Sequence, residues 1–155
     1  MAQFDFLTSN ADEIDEYVMG KLIWQSRELS HILVGHLMIE GLLGALIARS
    51  LARPERLLDQ RNLSFDLKLN LANSLDLLPE EHFAAAKALN RIRNLYSHNP
   101  DYEITMEDLS PFKFGWEKIQ KQAFVAAKAK SLAESTQISM IFLSFAFQAL
   151  LKNHR

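Results

Sequence analysis

Between residues 27 and 52 the chain reads RELSHILVGHLMIEGLLGALIARSLA, and no other run restricts the fold as strongly. Leu29, Ile32, Leu33, His36, Ile39, Leu43, Leu46 and Ile47 return every three or four residues. That spacing gathers side chains along one side of an α-helix, whereas a strand needs a period of two. A long apolar helix must be covered by other elements, so the run demands a helical bundle. Gly35, Gly41 and Gly44 each weaken a helix by about 1 kcal/mol relative to alanine. They are therefore expected to allow close approach of a neighbour. Pro54 marks the end of the element.

The rest of the chain repeats the pattern. TSNADE offers Thr8, Ser9 or Asn10 as a cap for a helix over 10 to 25, with acids in its first turn. Ser64 caps a third helix, in which Leu63, Leu67, Leu71, Leu75 and Leu78 recur at three to four residues. Pro79 opens a helix that runs to His98, where Asn99-Pro100 stops it. DYEITMEDLSPF is a connector in which Thr105 and Asp108 resemble a capping box. Helix returns over 114 to 133 and 135 to 152, as two elements or one kinked one. Alternating apolar runs bounded by turn dipeptides are missing, so no strand is expected. The reading is one all-α domain over 1–155, an up-and-down bundle of four or five principal helices.

Composition narrows the function classes. The 155 residues include no cysteine, which excludes disulfides and thiolate metal sites and fits a reducing compartment. The acidic opening lacks the basic-then-apolar order of a secretory signal. The apolar run ISMIFLSFAFQALL, 138 to 151, is too short to span a bilayer. A cytoplasmic location and no membrane contact are expected. The net charge of −2 announces no nucleic-acid binder, but its distribution is uneven. Residues 1 to 20 carry Asp5, Asp12, Glu13, Asp15 and Glu16 and no base, while 113 to 130 carry five lysines against Glu117 alone.

The stretch IRNLYSHNP, 92 to 100, holds the chemistry. At about 100° per residue, Ala85, Ala88, Leu89, Ile92, Leu95 and Tyr96 form one stripe of the 79–98 helix. Asn90, Arg93, Asn94, Ser97 and His98 form a second stripe without an acid. Lys87 and Arg91 lie close by and extend its positive charge. An imidazole exchanges protons near neutrality. A guanidinium grips phosphate with two prongs and neutralises charge building on its oxygens. An asparagine orients either group. The set His98, Arg93 and Asn94 suits attack of a ribose 2′-hydroxyl on the adjacent phosphate, without metal or cofactor. Lys87, Asn90, Arg91 and Ser97 would contact the phosphate chain. A bare ridge is open to water, so a second copy is needed to form a cleft. The simpler reading of the same residues is a polar, basic helix end that complements the helix dipole.

Arg93-Asn-Leu-Tyr-Ser-His98 resembles the R-x4-6-H motif of HEPN domains, with a polar residue after the arginine. That resemblance implies a helical bundle that dimerises and, in the active ribonucleases, a composite site where two motifs meet. HLMIEGLLGALI, LSFDLKLNLANSLDLL, LNRIRNLYSHN and ITMEDLSPF are similar, in order and spacing, to the mannitol operon repressor family, itself HEPN-like. This likeness covers residues 27 to 119 and implies a non-catalytic regulator or interaction module as the alternative. Repressor-type proteins are expected to carry an acid where Asn94 stands, so this position is nearer the nuclease pattern. Toxin-type HEPN proteins carry a tyrosine two residues after the histidine; here that place is Pro100, with Tyr102 two further on. The partners implied are a second copy, RNA, and a protein such as an antitoxin or transcription factor.

Other candidates rank lower. His36 and Glu40 are one turn apart and could share a metal, but no second carboxylate–histidine pair accompanies them. Ser26, Ser30 and Ser97 lack the context of an activated nucleophile. Trp24 and Trp116 have no nearby basic partners that would suggest base stacking. The helix after 135 is apolar nearly all round, which places it at the centre of the bundle or in a subunit interface.

Overall fold

The protein is described by a computed structural model covering residues 4–23, 28–59, 63–99 and 102–154. Trp24, Ser26 and Pro100 lie outside the described residues. Every regular element among those described is helical. They are α1 (Ala11–Ile23), α2 (Glu28–Ser50), the single turn α3 (Glu55–Leu58), α4 (Phe65–Ser74), α5 (Glu80–His98), a 3-10 turn (Glu107–Phe112), α6 (Lys118–Lys130) and α7 (Leu132–Asn153). Six of these exceed nine residues. The count rises above four or five because the stretch after 113 divides: Ser131, extended at φ −166°, ends α6 and caps α7 through Glu134 N–H.

Local signals explain the boundaries. Asn10 Oδ1 accepts from Glu13 N–H, and the Glu13 carboxylate accepts from Asn10 N–H, each at 2.9 Å. This reciprocal pair satisfies two amides that a helix start would leave orphaned. Ser64 Oγ accepts from Leu67 N–H at the start of α4. Thr105 and Asp108 make the expected box ahead of the 3-10 turn. Residues 114 to 117, expected to be helical, are not, because Gly115 turns the chain with φ +65°. The turn carries Phe114 to the His82 ring and Trp116 to the Phe124 and Phe142 rings.

The core lies between α2 and α7, which run parallel: Gly35 faces Met140, and Arg49 Nη1 donates to Leu151 O. Leu42, Leu43, Leu46 and Ile47 meet Met140, Leu143 and Phe147 in one buried cluster. Burying a leucine or phenylalanine side chain stabilises by roughly 1.5–3 kcal/mol. A side chain on Gly35 would strike Met140, and one on Gly41 would strike Phe6; nothing lies close to Gly44. The close-approach reading thus explains the first two glycines, and nothing in the structure explains the third. α7 is the central helix, packed against α1, α2, α5 and α6. By length and composition α2 could cross a membrane, unlike the 138–151 run, but 67% of its apolar window is buried in the bundle. It is the core helix the opening periodicity demanded.

Candidate functional site

α5 is built to show two different sides. Pro79 precedes it, Glu80 and Glu81 occupy its first turn, and Asn99 ends it by donating to Leu95 O. Ala85, Ala86, Leu89 and Ile92 are buried. Ala88 and Leu95, expected in the core, are only half-buried. They floor an open groove of about 810 Å³ between α5 and the first turn of α4. Its rim carries Lys87, Asn90, Arg91, Asn94 and His98 from α5 and Asp66 from α4.

Five of the seven residues singled out in sequence therefore line one hollow, and two do not. Arg93 and Ser97 are exposed but absent from its lining. Helix geometry explains the separation. Arg93 and His98 differ by five residues, or about 140° around the axis, and so sit on opposite edges of the polar stripe. Arg93 Nη1 instead donates to Asn94 Oδ1 at 3.4 Å. Ser97 Oγ donates back to Arg93 O at 3.1 Å, an ordinary bond within one helix.

Asn90 departs most from the exposed ridge expected of it. It is half-buried, and its Oδ1 lies 3.0 Å from His36 Nε2. An amide oxygen only accepts, so His36 is held as the Nε2–H tautomer. The imidazole stacks on Phe65 with 4.1 Å between ring centres. Burial pushes its pKa below the usual value and outweighs the Asn90 bond and Glu40, which act in the other direction; Arg93 adds to the lowering. Glu40 is engaged elsewhere, with Lys68 Nζ at 3.1 Å. His36 and Glu40 thus tie α2 to α5 and α4 respectively, and do not converge on a common point.

The cations are also positioned. Lys87 Nζ sits 5.8 Å from the centre of the Phe83 ring. Arg91 reaches to 4.0 Å from Asp108 Oδ1. Asp108 Oδ2 accepts from Tyr102 Oη and Thr105 N–H, both at 2.9 Å. Burial raises the Asp108 pKa, but these bonds, with Arg91, bring it below the usual carboxylate value. The Tyr102 hydroxyl is pushed up to about 12 by burial and by its bond to Asp108. Tyr96 Oη accepts from Ile104 N–H, so the connector is strapped across the end of α5. Asp66 and the groove floor were not singled out in the sequence. Asp66 reads there as a first-turn acid of the next helix, and no local pattern ties it to α5.

Chemically, the groove offers two cations, three amides, one imidazole, one carboxylate and an apolar floor within a single hollow. Compared with family models, with curated proteins and with solved structures, the chain gives no match.

Proposed function

We propose that the protein is a HEPN-like, RNA-directed homodimer whose α5 ridge works as a metal-independent endoribonuclease. His98 takes the proton of a ribose 2′-hydroxyl. The 2′-oxygen bonds to phosphorus, the bond to the 5′-oxygen breaks, and the imidazolium formed on His98 gives its proton to that departing oxygen. The products are a 2′,3′-cyclic phosphate and a 5′-hydroxyl. Arg93 grips the phosphate, Asn94 orients the reacting groups, and Lys87 and Arg91 hold the flanking backbone. Asn90 serves the site by fixing the groove wall.

The carrying observation is that His98 and Asn94 line a groove from which Arg93 of the same chain is absent. A second copy presenting its Arg93 edge to this groove supplies the missing clamp, and the reverse contact completes the other site. Such a two-fold arrangement needs an apolar seam. Leu29, Leu33 and Leu37 supply one along α2, with exposures of 40%, 39% and 57%. All three lie within about 100° of His36 on that helix. The first two are level with the 93–97 turn, since Glu28 influences Tyr96 while His36 meets Asn90. A cytoplasmic location fits the reading.

A second reading, a non-catalytic regulator docking a protein segment, is favoured by the apolar floor of Ala84, Ala88 and Leu95. Incubating the purified protein with mixed RNA and a chelator separates the two. Cleavage that survives the chelator and disappears in His98→Ala supports the nuclease. Intact RNA with a normal dimer refutes it and leaves the regulator.

A further inference from the structure

We propose that the outer face of α6 docks on an anionic lipid bilayer, contrary to the expectation of no membrane contact. The surface is separate from the groove, whose lining includes no residue of α6. α6 packs on α7 through the buried Phe124 and Ala127. On its other side stand Ile119, 77% exposed, and Val125, 66% exposed, the two most exposed large apolar residues among those described. Two adjoining hollows of about 630 and 430 Å³ share Trp116, Lys121 and Val125. Ile119 and Val125 lie about 120° apart around α6 and so mark the two edges of its outer face; Lys118 stands between them, Lys121 and Lys128 lie beyond Val125, and none of the ion pairs found among the described residues uses these lysines. The one acid within 113 to 130, Glu117, is committed to capping the start of α6.

The composition of the face selects the occupant. Every cation in 113 to 130 is a lysine. Nucleic-acid backbones favour the two-pronged grip of arginine, and would leave Ile119 and Val125 against water. A second copy offers the exposed acids Asp12, Glu13 and Glu16 on α1, but Ile14 and Val18 of that helix are buried. It brings charge without apolar cover. A bilayer supplies both. Lysine stems lie along apolar surface while their ammonium groups reach lipid phosphates. A half-exposed tryptophan sits well at headgroup level.

Co-sedimentation of the full chain with vesicles tests the proposal. Vesicles of phosphatidylcholine with phosphatidylglycerol are expected to carry the protein down, and vesicles of phosphatidylcholine alone to leave it in solution. Exchanging Lys118, Lys121 and Lys128 for glutamine together should weaken binding by about 100-fold, since each lysine near the surface is worth about a factor of five. Ile119→Ser with Val125→Ser should weaken it by about tenfold or more at constant charge. Circular dichroism verifies that these surface variants stay folded. Binding to neither vesicle, or equally to both, overturns the proposal. So does binding that needs the lysines but ignores Ile119 and Val125, which would make the face a docking site for a soluble polyanion or an acidic protein.

Discussion

Asn90 and Asn94 stand one turn apart on the same stripe of α5, yet the molecule treats them differently. Asn90 lies under the bundle, half-buried and bonded to His36. Asn94 is exposed, and its Oδ1 accepts from the neighbouring Arg93. Lys87, beside Phe83, and Arg91, toward Asp108, are exposed, as are Arg93, Ser97 and His98. What changes is whether another element passes over the stripe. Asn90 is a joint between helices, whereas Asn94, Ser97 and His98 form a free half that can meet a ligand. A polar residue on a helix thus gains its role from what crosses it.

The sharpest way to break this comparison is through activity. His98→Ala is expected to lower RNA cleavage by about 10²–10⁴-fold while leaving the melting temperature nearly unchanged. A large loss of stability from that single change would mean that His98 belongs to the joint and not to the free half. The opposite outcome is expected of His36→Ala. Removing a buried, stacked and hydrogen-bonded ring should cost about 2–4 kcal/mol in urea unfolding. Asn90→Ala should cost about 1–2 kcal/mol, because it strands the His36 N–H. Unfolding curves superposable on those of the parent protein would place Asn90 back on the free surface.

Acidity probes the joint without mutation. Burial lowers the pKa of His36, and likewise of His31 and His82. Their unfolded forms titrate near 6.5 and take up protons before the folded forms do. Stability is therefore full above pH 6.5 and falls as the pH drops from there through the lower folded values. Each such histidine contributes a slope of at most about 1.4 kcal/mol per pH unit. Chemical unfolding at a series of pH values checks the sign, and His36→Gln should flatten the slope. The smallest effect belongs to the free half: Ser97→Ala, at an exposed helix position, should alter stability by no more than about 0.5 kcal/mol.

The helices and most of their caps were legible because their causes are local. Asn10, Ser64 and Thr105 cap the segments they precede, and the period of the leucines in α2 and α4 states their type. The break after 113 was harder to place. Gly115 and Ser131 act through single backbone conformations, which leave no periodic trace. The site was legible as a list of residues. Spacing alone puts Asn90, Arg93, Asn94, Ser97 and His98 on one stripe with Lys87 and Arg91 close by, and five of these seven share a groove in the structure. Its apolar floor was not legible, because Ala88 and Leu95 fall on the side of α5 that spacing assigns to the core. Nor was the partnership of Asn90 with His36, which are 54 residues apart.

The sequence by itself determined that the chain is all-helical, where most helices start, and that a basic stripe with an imidazole lies late on α5. These follow from interactions reaching no further than one helical turn. Only the tertiary structure decided that Asn90 is a joint and that α4 closes one wall of a groove. Those outcomes depend on which helices cross, and crossing is set by long-range burial of apolar faces that no short window of residues contains.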